Sequence, residues 1–596
     1  MMKRKTLQPT RRAFLKGLTI TPLAAGLSSV ASTAAAQNNS NSSSAAQNFS
    51  GVPLHEQVWD FEKVPAKVPE NQIANTLSCD ILIVGSGGSG MPASVAAVET
   101  GKKVITIEKL RKDQVFNPDR PDISRAIGAW FGFSNNRLLK ERGIKKDVRA
   151  QFESQVRSAH WRCNQLNIKS VFDHGLEVSN WWLDKLSSQG LDPKTFPIET
   201  HPERDQQELP SMAWKRPGSG HYWFPGQIIC PAGIAERALE AWLNDNDYEI
   251  TYGVSAKYLE KDDKGAISGL IAQRSSDGKY IRIKAPKVIL CTGGFEGNKE
   301  MMKKYLPESG AYREVFGKKT NTGDGFLMAQ WAGARMDPWP LCPQTWDGMN
   351  PEALEKLKMD YVGIARQAWL YVNADGKRFM NEDAPFAGVG KSMFMQPHSM
   401  MWTIWDDKWK DDDVLYRLKG TVCRRMTTRS IPFILPMNTK EATQKMIDAG
   451  VIIKADSIPE LVHKMVEKGP SLGIGNNMKE PVLQATIDRY NELAKKGDDE
   501  DFGKDPRALI EINKPPYYAC RTTVGVIVCT GGPIVDEYFR VMDKNGGIIP
   551  GLYACGNNAG GYNQYEYDMP TDVGSLGRAC VSGYLAAKHA AGDIGD

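Results

Sequence analysis

The residues best suited to chemistry by type and spacing are Gly85-Ser86-Gly87-Gly88-Ser89-Gly90, a match to G-x-G-x-x-G. Such a turn holds a dinucleotide pyrophosphate when it joins a buried strand to a helix. Its first glycine permits the tight turn, its second lets backbone approach the phosphates, and its third lets the helix pack close to the strand. The flanks agree with this reading. Asp80 to Val84 reads as a short buried strand, Met91 to Thr100 as a small-residue helix, and Val104 to Ile107 as a second strand ending in Glu108. The helix N-terminus offers unpaired N–H groups and a positive dipole end. Glu108 follows Gly85 by 23 residues, the spacing at which an acid binds ribose hydroxyls, and Lys109 stands beside it. An acid there favours an unphosphorylated ribose, hence FAD or NAD over NADP.

The elements that must position this turn belong to a long chain. At 596 residues it can bury a large core in two or three domains. A net charge of +5 is small for that length and gives no case for nucleic acid. The ten cysteines include no Cys-x-x-Cys, which excludes a zinc ribbon, a cysteine-ligated iron–sulfur cluster and an attached c-type haem. No metal is expected, and most cysteines are expected as buried thiols.

At the N-terminus, Thr10-Arg11-Arg12-Ala13-Phe14-Leu15-Lys16 is a twin-arginine pattern. It is followed by a modest apolar stretch, Leu18 to Val30, and a small-residue cleavage site at Ala34-Ala35-Ala36. This pattern predicts a signal peptide over 1–36 and export through the twin-arginine pathway to the periplasm. Residues 37–78 read as a polar tether and a segment wrapping the domain surface. No later stretch has the length and apolarity of a membrane span.

Further along, Asp147 to Leu186 shows long helical periodicity, and Trp181 and Trp182 read as core residues. His201 to Gly226 is a long Pro- and Gly-rich loop carrying His221, whose ordinary reading is a surface histidine. Ala232 to Leu243 is an amphipathic helix. Tyr248 to Thr251 and Ser255 to Leu259 read as strands, and Ala266 to Gln273 with Tyr280 to Ile283 as a β-meander. Lys287 to Leu290 is a buried strand running into Cys291-Thr292-Gly293-Gly294-Phe295.

The glycine turn, this strand, Thr322-Gly323-Asp324-Gly325, Asp498-Asp499-Glu500-Asp501-Phe502-Gly503 and Gly551-Leu552-Tyr553-Ala554-Cys555-Gly556-Asn557 occur in the order seen in one family. The chain resembles the fumarate reductase/succinate dehydrogenase flavoproteins over about residues 79 to 590. Their soluble members include flavocytochrome c fumarate reductases, urocanate reductase and 3-ketosteroid dehydrogenases. The resemblance implies an α/β fold: a Rossmann-like FAD-binding domain in two pieces, 79–337 and 512–596, with an α+β capping domain, 338–511, inserted between them. It implies non-covalent FAD. Gly85, Gly87, Gly88, Ser89 and Gly90 would hold the pyrophosphate, and Glu108 and Lys109 the adenosine ribose end. Thr292, Gly293 and Gly294 would lie by the adenosine half, and Asp324 by the ribityl chain. Asn557, after Gly556, takes the place of the family's usual Glu. Ser575 and Leu576 match the segment that meets the flavin ring and opens the last helix.

Reduction of an activated C=C needs hydride from flavin N5, a clamp on the substrate's carbonyl and a proton donor. Fumarate reductases use His and Arg shaped for two carboxylates. Here their His-Pro-Thr reads Pro343-Gln344-Thr345, and their His-His-Thr-Met-Gly-Gly reads Ile527-Val528-Cys529-Thr530-Gly531-Gly532. A less polar, larger substrate is expected. Candidate catalytic residues are Lys410, Glu382, Tyr565 and Tyr567, the tyrosines lying in Tyr562 to Pro570. Each also has a structural reading: an exposed helix for Lys410, a backbone-bonded carboxylate for Glu382, and flavin or cap packing for the tyrosines. Arg424, Arg425 and Arg429 are candidates for a substrate carboxylate or for a solvated turn. Three readings stay open. The first is a reductase of a bulky enoate fed by a separate electron-transfer protein such as a cytochrome c. The second is a ketosteroid-type dehydrogenase. The third is a non-catalytic flavoprotein subunit.

Overall fold

Six short runs, rich in β-branched and aliphatic residues, build a six-stranded sheet in the order Arg540–Met542, Ile548–Ala554, Lys287–Leu290, Ile81–Val84, Val104–Glu108, Thr251–Tyr252. All neighbours are parallel except the Arg540–Met542 edge. Ile81, Leu82, Ile83, Val288, Ile289 and Leu290 are almost wholly buried, as expected of parallel strands covered on both faces. The helices Gly90–Val98, Ala232–Asp245 and Ser575–Ala591 pack together around it. This computed structural model describes residues 53 and 55–595, apart from 116–129, 197, 199–226, 231, 307–313, 316–318, 339–340, 358, 360–361, 385, 419–438, 470–477, 564–566, 568–570 and 572. The twin-arginine segment, His221, the arginine trio at 424, 425 and 429, and Tyr565 lie outside the described residues.

The expected meander is present as Val254–Lys261, Ile267–Arg274 and Tyr280–Lys284. Part of the stretch expected to wrap the surface instead adds a fourth strand: Ile73–Ser78 pairs in parallel with Tyr280–Lys284. Its sequence, IANTLS, is too polar to read as a strand, because the neighbouring strand supplies its partners. The helical stretch Asp147 to Leu186 is three helices, Val148–Ser158, Gln165–Asp173 and Gly175–Ser188. The first break falls at His160 and Trp161, whose φ of 50° and 58° cannot continue a right-handed helix.

A second sheet is built on one 14-residue strand, Tyr517–Thr530. Its first half pairs antiparallel with Met401–Asp406 and Ile453–Ala455. Its second half pairs antiparallel with Cys342–Met349 and in parallel with Glu314–Val315. This strand lies beyond residue 511, yet it is the spine of the sheet expected of the cap. Leu461, Leu483, Ile487 and Tyr490 pack with Leu370, Trp402 and Ile404 on one side of that sheet. Val524 and Val526 join Phe295, Met301, Tyr305 and Phe326 in a separate apolar cluster at its C-terminal half. The strand thus carries residues from the second sheet toward the dinucleotide turn. Among the described residues, no helix is long and apolar enough to cross a membrane.

Candidate functional site

A cleft opens at the C-terminal ends of the parallel strands, where open α/β sheets bind ligands. It is lined by Gly85, Gly87, Gly88, Ser89, Glu108, Lys109, Thr292, Gly293, Asp324, Gly556, Asn557, Ser575 and Leu576, which are thirteen of the fifteen expected cofactor residues. The other two, Gly90 and Gly294, stand directly behind its wall. Gly85 has φ +97°, and a Cβ on it would come within 2.5 Å of the Cys291 carbonyl oxygen. A Cβ on Gly90 would lie 1.9 Å from the Gly85 carbonyl oxygen. Only glycine closes this turn.

The acidic end of the cleft is held from behind. Glu108 Oε2 accepts from the Ser86 N–H and Oγ, both at 3.0 Å, and its Oε1 accepts from the Leu110 N–H at 3.0 Å. The carboxylate is therefore fixed before any ribose arrives. Lys109 Nζ donates to Asp324 Oδ2 at 2.8 Å and to Thr322 Oγ1 at 3.0 Å, and Thr322 Oγ1 donates to Asp324 Oδ1 at 2.7 Å. Thr292 Oγ1 accepts from the Gly325 N–H at 3.1 Å. These bonds tie the strand ends to the start of helix Asp324–Trp331.

Three helices begin at this cleft: Gly90–Val98 after Ser89, Asp324–Trp331 after Gly323, and Ser575–Ala591 after Gly574. None is capped by the side chain of its own N-cap residue, although Thr292 Oγ1 takes one first-turn N–H of the second. The first N–H groups of a helix need acceptors, and here their positive ends face one cavity. The Asn558 side chain, 1 % exposed, has neither amide atom bonded among the described residues. This donor set suits FAD, a ligand with a pyrophosphate, two polyol segments and a ring that takes up negative charge. The glycine turn and the Ser89 helix would hold the pyrophosphate, Glu108 the adenosine ribose, and the Asn557–Leu576 end the flavin.

Several lining residues carry no motif signal. Val254 and Ala256 come from the meander, and Thr320 and Asn321 from the loop before Thr322. Glu296, buried behind the wall, accepts from Asn321 Nδ2 at 2.8 Å and from the Cys529 N–H at 3.2 Å. Burial pushes its carboxyl up to about 7, against these bonds and the Lys109 charge. Asn321, next to the matched Thr322-Gly323, was the available signal for this pair.

The catalytic candidates fare differently. Glu382 is fully buried but belongs to a closed ion network. Arg378 donates to it through Nε at 2.8 Å and Nη2 at 2.9 Å, and Lys504 Nζ lies 3.2 Å away. Arg378 also grips Asp499 with two bonds of 2.8 Å. Burial would raise the Glu382 carboxyl, but Lys504 and Arg378 overcome it and hold the group below its ordinary value. These partners fit the structural reading of Glu382. Lys410 fits its exposed reading. Its side chain is 55 % exposed and paired with Asp407 at 2.7 Å, which makes it a surface ion pair away from the cleft. Tyr567 is buried. Val528 lines the cleft and stands opposite Gln344 across the sheet, with Pro343 opposite Cys529. The two segments that replace the fumarate reductase histidines therefore meet beside the cofactor site.

The described cysteines, Cys79, Cys163, Cys230, Cys291, Cys520, Cys529, Cys555 and Cys580, are all free thiols.

Comparison with known proteins agrees with this geometry. A 3-oxosteroid 1-dehydrogenase of Mycobacterium tuberculosis (strain ATCC 25618 / H37Rv) is 25% identical, over 87% of this chain and 99% of its own. A fumarate reductase (cytochrome) of Shewanella frigidimarina is 26% identical, over 86% and 77%. A vinyl phenol reductase of Lactiplantibacillus plantarum is 25% identical, over 86% and 96%. The fold is that of the open conformation of a flavocytochrome c3 fumarate reductase (TM-score 0.61, 20% identity, 87% of this chain and 78% of that one). It is equally that of a 3-ketosteroid-Δ4-(5α)-dehydrogenase from Rhodococcus jostii RHA1 (TM-score 0.60, 18% identity, 86% and 97%). The model of the FAD binding domain family matches residues 80–567. With that match and a glycine turn, Glu108 and three helix starts on one cleft, the chain belongs to the FAD binding domain family, in the group of FAD-dependent oxidoreductases of CH–CH bonds.

Proposed function

We propose that this chain reduces the activated C=C bond of an aromatic or otherwise bulky enoate, in the periplasm, with electrons from a separate redox protein such as a small cytochrome c. The observation that carries the substrate class is Val528. It lines the cleft, opposite Gln344, and stands where the resemblance puts a histidine of the fumarate reductases. An apolar wall there favours an apolar substrate face and leaves a dicarboxylate's second charge unanswered. The relative named vinyl phenol reductase supports the same class.

FAD, when bound, supplies hydride at N5. The residues of the chain do the rest. The Ser575 helix start and Asn557 stabilise negative charge at the ring end of the cleft. Tyr567, which is buried, is the candidate for giving a proton or stabilising an oxyanion. The packed apolar cluster around Val524 and Val526 keeps water from that side.

A second reading, dehydrogenation of a saturated ketone, is favoured by the 3-oxosteroid 1-dehydrogenase relative, matched over 99% of its length. Purified protein given reduced viologen separates the two. Oxidation of the dye by aromatic enoates but not by fumarate supports the first reading. Turnover of saturated 3-ketosteroids with a dye acceptor, and of no enoate, supports the second. Replacing Arg11 and Arg12 by lysine should hold the protein in the cytoplasm in a fractionation assay, and unchanged export would refute the twin-arginine assignment.

A further inference from the structure

Arg578 is a buried cation with no anion beside it among the described residues. It lies in the first turn of helix Ser575–Ala591, is 3 % exposed, and donates from Nη2 to Asn557 Oδ1 at 2.9 Å. Its guanidinium carbon sits 4.7 Å from the centre of the Tyr562 ring. Its Nε is buried with no partner, and no carboxylate lies within 4.0 Å of it among the described residues. The contrast with Arg378, gripped by Glu382 and Asp499, is complete. Placing a cation in a helix's first turn also opposes the helix dipole. This arrangement costs stability, so a compensating negative charge nearby is expected.

The charge is passed toward the cleft rather than cancelled. Asn557 Oδ1 also accepts from Ser575 Oγ at 3.1 Å, so both neighbours donate to it, and Asn557 and Ser575 line the cleft. Asparagine is neutral, whereas a glutamate at 557 would form an ion pair with Arg578. We infer that Arg578 tunes bound FAD, and that Asn557 keeps its charge uncancelled so that the flavin is easier to reduce. FAD takes two electrons from the redox partner. With one proton it gains one negative charge, and with two it gains none. A nearby uncancelled cation favours the charged product. Arg578 is thus a positioning residue that sets redox poise, and a weaker electron donor suffices to load the enzyme. The inference rests on bound FAD alone and not on the substrate class.

The test is the midpoint potential of the holoprotein, measured against reference dyes without substrate. Asn557→Glu supplies the missing anion and should weaken the preference for reduced over oxidised flavin at least tenfold, about 30 mV for a two-electron couple. Arg578→Gln should move the potential the same way. Sulfite adds to N5 and places negative charge on the ring, so its binding to the same samples should weaken tenfold in both variants. An unchanged or raised potential in Asn557→Glu with FAD still bound would overturn the inference, as would unchanged sulfite binding. Should one variant lose its FAD, the other decides by the same two readings. Because no substrate is present, a failure on enoates leaves this result standing.

Discussion

The cofactor cleft and the cap treat polar groups in opposite ways. In the cap the two buried carboxylate networks are closed. Glu382 is matched by Arg378 and Lys504, and Asp406 accepts from the N–H groups of Lys408, Asn513 and Lys514 and from Lys408 Nζ. In the cleft, among the described residues, polar groups are left open: three helix starts without an N-cap side-chain bond, an Asn558 amide with no partner and an Arg578 with no anion. Away from the cleft, helices start under Asn136, Asp147, Asn164, Asn298, Thr439 and Ser457, each accepting from a first-turn N–H. The open groups at the cleft are placed where a bound ligand can satisfy them, whereas the charges of the Glu382 and Asp406 networks are already matched.

The largest way to break this contrast is in the cap. Glu382→Ala strands Arg378 and Lys504 without their shared anion, and chemical denaturation should show a loss of about 3–5 kcal/mol. The wild-type contribution of Glu382 is present above the unfolded carboxyl value and fades as pH falls through its lowered folded value, so Glu382→Gln should flatten the acid limb of the stability curve.

Glu296 has the opposite sign. Its carboxyl rises from 4.5 unfolded to about 7 folded, so its contribution is full below the unfolded value and is lost as pH climbs toward 7. Thermal melts of Glu296→Gln should lose that decline between pH 5 and about 7.5, while wild type keeps it.

Smaller effects sharpen the comparison at the helix starts. Asp147→Ala removes a cap whose Oδ1 accepts from the Ala150 N–H at 2.9 Å. It should cost about 1 kcal/mol with FAD content unchanged by absorbance. Gly574→Asn does the reverse. Gly574 already has extended cap geometry, φ −83° and ψ −168°. The added acceptor should stabilise FAD-free protein by only a few tenths of a kcal/mol, yet weaken FAD retention by occupying the donors. Calorimetry with and without FAD reads both.

The cofactor half was legible because its constraints are local. A glycine turn, a strand before it, a helix after it and an acid at fixed spacing are all contiguous in sequence, and thirteen of the named residues line one cleft. The helix starts at Asp324 and Ser575 were found because short segments mark them. The substrate half depends on register between distant strands. That Val528 faces Gln344, some 180 positions away, follows from pairing along Tyr517–Thr530 and from nothing near either residue. The two readings of Glu382 stayed open for the same reason, since Arg378-Phe379-Met380-Asn381-Glu382 shows neither Lys504 nor Asp499. The helix break at His160 and Trp161 escaped notice because no glycine or proline marks it.

The central claim, hydride delivery to a bulky enoate, is tested most directly by a single turnover. Protein holding reduced FAD is mixed anaerobically with a substituted cinnamate, with fumarate, or with buffer, and the flavin absorbance is followed. The account predicts rapid reoxidation by the aromatic enoate, matched by one equivalent of its saturated product, and no reoxidation by fumarate beyond the buffer rate. Reoxidation by fumarate alone, or reduction of oxidised protein by a saturated 3-ketosteroid with no response to any enoate, would contradict it.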